Sequence, residues 1–283
     1  MTVIERNFFR LLRAGTFTND EPIEPMSAWK WRRLYQLAVT LNVANHIGRG
    51  VEACKREFFV SIMPIDLEEK WEKAKNTPYQ EEGVRITEEG LQNTEEEDVP
   101  SLTNPLLDRK LQAIMDAESD SSETPTRLML LNLVLNTRNI LNEGIVLPLL
   151  IELGQMMRNT ASPIDYDKLG KWIKELRLQP MADLLGTLLG MLLGFKQEEV
   201  HIMRKMQSKP AQQLTIDMFR MSKATSDEWF LTQSSDQIFA RSTNSRAMFW
   251  HVGHSARYSR LYPSEALTNF FKSFVHSLSH IEE

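Results

Sequence analysis

IDYDKLGKWIKELRLQPMADLLGTLLGMLLG, residues 164–194, reads as two helices and the turn between them. Leu169, Trp172, Ile173 and Leu176 recur at the spacing of one helical face, and Asp165 stands where a helix N-cap belongs. Pro180 suits the first turn of the next helix, and Gly194 suits its end. Gly186 and Gly190 lie four apart on that helix, a smooth strip that a neighbouring helix can approach closely. A connection as short as 178–179 implies antiparallel neighbours.

The same grammar extends outward. Thr124-Pro125 is a cap followed by a first-turn proline. Leu128, Leu131, Leu135 and Leu141 follow at helical spacing, and Gly144 ends the run. Val146 to Met157 predicts a further apolar helix, and short loops at 143–145 and 160–164 again imply antiparallel packing. In the N-terminal part, Ile4, Phe8, Leu11 and Leu12 form a stripe over residues 3–14, with Gly15 as its expected stop. Ser27 caps a helix carrying Trp31, Leu34, Leu37, Ala38 and Leu41. Residues 42–51 read as a turn through Gly48 and Gly50, with an apolar piece from Cys54 to Ile62 after it. Asp66 suits the start of a short helix to Lys75, residues 104–117 read as helix, and so do 212–221. Pro263 divides a C-terminal pair of helices over 246–280.

Leu, Met, Glu, Lys and Ala fill these periodic stretches, and alternating β-branched runs are nearly absent. The expected class is therefore mostly α, a multi-helix, bundle-like globular protein with an acidic, partly irregular middle segment. Three parts are expected: an N-terminal helical part (1–65), an acidic connector or insert (66–124) and a C-terminal helical part (125–283), with the helices packing as one core. Over 283 residues the net charge is −5. Residues 66–124 hold 17 Asp/Glu against 6 Lys/Arg, a net −11, which leaves +6 elsewhere. That segment reads as a solvated connector, or as a cover over a basic surface where it would compete with phosphate or nucleic acid. The single cysteine, Cys54, excludes an intrachain disulfide and a cysteine-rich zinc site. With no apolar leader core near the N-terminus, it points to the cytoplasm. The longest apolar stretch, Met181 to Phe195, is shorter than the ~20 residues of a membrane span and carries Asp183.

Two blocks of the chain resemble a known family. Phe8-Phe9-Arg10-Leu11-Leu12-Arg13-Ala14-Gly15, followed by Trp29, Leu37, Ala38, Val43, Gly50, Val51 and Glu52, is similar to the opening of a family of uncharacterised bacterial nucleotidyltransferases of the polymerase-β-like superfamily. Asn142 to Leu147, Ile164-Asp165 with Leu169 and Trp172, Leu176 to Leu178, Leu193-Gly194 and Arg257 to Ala266 resemble its helical C-terminal part. The resemblance covers roughly 3–53 and 128–267, and it is carried by helix framework. Such an enzyme needs a Gly-Ser turn, an Asp-x-Asp pair on a strand and a third carboxylate, which together hold two divalent cations. No Gly-Ser precedes a carboxylate pair in this chain. The family's turn arginine corresponds to Pro148, the aspartate after it to Glu152, and its histidine-rich helix has Asn136 and Asn139.

The candidate sites follow. Asp165 and Asp167 form the chain's one Asp-x-Asp; they are a metal pair in one reading and helix-start residues in the other. His251 and His254, spaced i, i+3, suit a shared metal, with His276 or His280 as a third ligand. Arg246, Arg257 and Arg260, near Trp250 and Tyr258, suit phosphate contact. The acidic balance of the whole counts against nucleic acid. The expected function is a non-catalytic binding, regulatory or scaffolding role without a cofactor, with an unknown protein partner or self-association and no membrane. The alternative is a divergent nucleotidyltransferase taking Mg²⁺ and a nucleoside triphosphate, with carboxylates from Glu95 to Asp98 and Asp108. A phosphate- or nucleic-acid-binding module is the third possibility.

Overall fold

The computed structural model describes residues 1–17, 21–76, 101–118, 125–142, 144–159, 161, 163–234, 258, 260–264 and 268. Among them the protein is mostly helical, with eleven α-helices and no strand. The helices are α1 (Val3–Phe17), α2 (Ala28–Thr40), α3 (Ala44–Ala53), α4 (Phe58–Ser61), α5 (Ile65–Asn76) and α6 (Pro105–Ala117). They continue with α7 (Pro125–Asn142), α8 (Leu147–Arg158), α9 (Tyr166–Glu175), α10 (Gln179–Leu193) and α11 (Ser208–Ser234), with a 3₁₀ turn at Gln197–Glu199. None of them is long and apolar enough to cross a membrane. The acidic stretch 77–100 lies outside the described residues.

The chain divides into two compact units, in which α10 and α11 each contribute to both. The first comprises Met1–Glu82, Leu189–Phe195 and Ile216–Asp236. Its centre is α1, which buries Phe8, Phe9, Leu11 and Leu12 completely or nearly so. Phe8, Phe9 and Phe219 meet edge to face, and Phe17 meets Phe195 in the same way. The glycines expected to stop α1 and to turn residues 42–51 do neither. α1 runs on to Phe17, and residues 44–53 are a helix. The reason is a close crossing. A Cβ on Gly15 would overlap the His46 carbonyl, and one on Gly50 would overlap the Leu11 carbonyl. Gly48 is needed in turn by α5, whose Trp71 carbonyl oxygen would lie 3.0 Å from a Cβ there. The 21–27 strap is tied down by buried Asn7. Asn7 accepts from the Glu24 backbone N–H at 3.0 Å and donates to the Glu24 carbonyl at 2.8 Å.

The second unit comprises Gly83–Leu188, Lys196–Thr215 and Gln237–Glu283. Its centre is α7, which buries Met129 through Thr137 almost continuously and packs against α8 and α9. A helix apolar on most of its circumference is what such a position demands. Two asparagines, Asn132 and Asn136, are buried in this core and joined to each other. Asn136 donates to Asn132 Oδ1 at 2.7 Å and to the Leu149 carbonyl at 3.3 Å. Gly144 and Gly194 terminate α7 and α10 with φ of 106° and 73°, as the sequence predicts. Gly186 serves a different partner from the helix expected there, since Val200 and Met203 of the following loop fill the space beside it. α11 extends beyond the expected 212–221, from Ser208 to Ser234.

Candidate functional site

The feature with most chemistry among the described residues is a groove of about 430 Å³ in the second unit. One wall is a face of α9: Tyr166, Asp167, Gly170, Lys171 and Lys174 recur at three- and four-residue spacing. The opposite wall is the turn at His201–Arg204, with Gln179 at the start of α10 between them.

Each wall is fixed from within the fold. Asp165 caps α9, its carboxylate accepting from the Lys168 backbone N–H at 2.9 Å, while its own N–H donates to Thr126 Oγ1 at 2.9 Å. Leu169, Trp172 and Ile173 bury the other face of α9, and Tyr262 donates to the Leu176 carbonyl at its end. The turn opposite is pinned to α10 by polar contacts. Asp183, only 6% exposed, accepts from the Gln179 amide at 2.9 Å and from the Arg204 backbone N–H at 2.8 Å. Gln179 also donates to the Ile202 carbonyl at 3.0 Å, and Thr187 Oγ1 accepts from the Gln207 N–H at 2.9 Å. These contacts spend backbone donors and acceptors, so the Arg204 side chain stays available to the groove.

The rings of Tyr166, from one wall, and His201, from the other, touch, with centroids 4.4 Å apart and planes tilted by 49°. Burial pushes the Tyr166 phenol above its usual pKa. Lys171, Lys174 and Arg204 are exposed and make no ion pair among the described residues. Among the described residues Asp167 is the one carboxylate of the lining, so those residues carry +2 with His201 counted as neutral, in a chain of −5.

The other candidates separate. Asp165 and Asp167 stand at one helix start, but Asp165 is occupied with capping and Asp167 is an exposed groove residue. Among the described residues no three His, Cys, Asp or Glu side chains gather where they could hold a metal ion. His251, His254, Arg246 and Arg257 lie outside the described residues, as do Glu95 to Asp98. Arg260 is exposed in the turn that follows Tyr258. Asp108, in the first turn of α6, accepts from the Leu102 N–H at 2.8 Å. Cys54 is buried.

Sequence reading placed Asp167 near the start of α9 but did not single out Lys171, Lys174, His201 or Arg204. Their alternation with the buried stripe is visible. Their meeting across sequence separations of 27 to 33 residues, between α9 and the 201–204 turn, is not.

A scan against protein-family models and searches of curated proteins and of solved structures return no match to this chain.

Proposed function

We propose that this protein acts by binding, as a helical regulatory or scaffolding component, and that its likeness to nucleotidyltransferases is one of helical framework without the phosphoryl-transfer chemistry. The observation that carries this reading is where the described carboxylates go. Glu24 is clamped by Arg6 and Arg10, each at 2.7 Å, and Glu21 by Arg13 at 2.7 Å. Glu118 pairs with Lys168 at 2.6 Å, and Glu199 with Arg158 at 3.0 Å. Asp165 caps a helix, and Asp183 pins a turn. Carboxylates engaged in this way are structural, whereas two-metal chemistry needs several converging on one point with open oxygens. Arg10 and Arg13, inside the segment that resembles the family, belong to the same packing. Arg13 also donates to the Leu192 carbonyl at 3.0 Å.

Large apolar side chains left in the open on the first unit favour a macromolecular partner or a second copy of the chain. Trp29, Phe58 and Ile65 are each at least two-thirds exposed.

The test is calorimetry of a nucleoside triphosphate with and without Mg²⁺ or Mn²⁺. A site built of carboxylates binds the triphosphate more tightly when metal is present. The expected result is no tightening. Metal-dependent tightening of tenfold or more would remove the reading in favour of the enzyme.

A further inference from the structure

We infer that the groove between α9 and the 201–204 turn is a binding site for a small phosphate-bearing anion. Three observations converge on it. The first is charge: Lys171, Lys174 and Arg204 line one recess, unpaired among the described residues, on a protein whose overall charge is negative. Cations gathered in a recess concentrate positive potential there, and focused potential attracts multivalent anions.

The second is rigidity. The Arg204 backbone is held by Asp183, the Ile202 carbonyl by Gln179, and the Gln207 N–H by Thr187. A recess whose walls are set before the ligand arrives loses less entropy on binding. The Asp183 carboxylate stands behind this wall, held by two neutral N–H donors, while Asp167 is the carboxylate of the lining itself among the described residues.

The third is shape. About 430 Å³ exceeds what one phosphate fills and falls within the ~300–1,000 Å³ range of small-molecule sites. A Cβ on Gly170 would meet nothing within 4 Å, so the α9 wall leaves open space at its middle. Tyr166 and His201 form an aromatic border on which the non-phosphate part of a ligand can rest. Guanidinium and ammonium donors together suit two linked phosphates, Arg as a bidentate fork and the lysines as point charges.

This inference goes beyond the binding-protein reading and stands without it. Phosphate binding here and triphosphate turnover are separate measurements, and either can fail alone.

The experiment is calorimetric titration of the full chain with inorganic pyrophosphate, in a chelator that removes divalent metal. Saturable binding is expected, weakened by added salt. Lys171→Gln, Lys174→Gln and Arg204→Gln should each weaken it about tenfold, as loss of one charge-assisted contact does. The triple variant should abolish it, while Lys209→Gln on α11 leaves it unchanged. All these side chains are exposed, so an unaltered melting temperature separates lost binding from lost folding. Silence at millimolar pyrophosphate, or full affinity in the triple variant, would overturn the assignment. So would citrate binding as tightly as pyrophosphate, because the site would then be one for carboxylates. An oligonucleotide that binds where pyrophosphate does not would overturn it too.

Discussion

Arg177 has a φ of 56°, the left-handed region that costs a residue with a Cβ about 1 kcal/mol or more. It sits there because α9 ends in a paired-bond turn. The Arg177 N–H donates to the Lys174 carbonyl and the Leu178 N–H to the Ile173 carbonyl, at 3.2 and 2.8 Å. Arg177→Gly should therefore raise stability by ~1 kcal/mol, read as a higher urea midpoint at unchanged slope. Asn42 makes the same turn after α2 with a φ of 55°, and asparagine tolerates that geometry better. A second residue-scale effect concerns pH. The Arg6 side chain, hydrogen-bonded to Glu24, lowers its carboxyl from 4.5 to about 2, with Arg10 adding to the effect. A carboxylate depressed in the folded state stabilises above its unfolded pKa and loses that contribution as pH falls through the folded value. Wild type should thus lose stability between pH 4.5 and 2 at this site, and Glu24→Gln should flatten that part of the curve in thermal melts taken across the window.

At the scale of elements, the same small residue plays opposite parts. Gly50 sits where α3 crosses α1, with the Leu11 carbonyl in the place of a side chain. Gly50→Ala forces two backbones apart and should cost at least the ~1–3 kcal/mol typical of overpacking. Gly170→Ala meets open space in a helix interior and should stabilise by ~0.5–1 kcal/mol. Parallel denaturation curves of the two variants check both signs. This contrast also shows what the sequence could and could not convey. Stripes such as Leu169, Trp172, Ile173 and Leu176, and caps such as Asp165, act within one helix, so they are legible in order along the chain. Gly15, Gly48 and Gly50 looked like stops and turns because a missing side chain serves a turn and a close crossing equally well. The partner that decides between them is distant in sequence. The groove was hidden for the same reason. Asp183 is a charge in an apolar run until the 202–204 backbone is seen against it. Asp183→Ala should cost ~1–3 kcal/mol by stranding the Arg204 N–H, whereas Asp183→Asn keeps an acceptor and should cost less. Chemical denaturation of the pair measures the difference.

Across the whole molecule, the mostly helical class follows from composition and periodicity, while α3 stands where a turn was expected and α1 and α11 run past their expected ends. Function is legible only in part, because it depends on which charged groups remain uncommitted after folding. Acidic residues outnumber basic ones, 38 to 33, yet the described carboxylates are largely engaged in caps and ion pairs, and one groove gathers three cations without a carboxylate partner among the described residues. The reading proposed above, binding without phosphoryl transfer, rests on that distribution among the described residues. The most direct test of that central claim is ³¹P NMR of a nucleoside triphosphate incubated with the full chain and Mg²⁺ or Mn²⁺. The account predicts triphosphate resonances that persist at the protein-free rate. Metal-dependent growth of a pyrophosphate signal in proportion to protein concentration would contradict it.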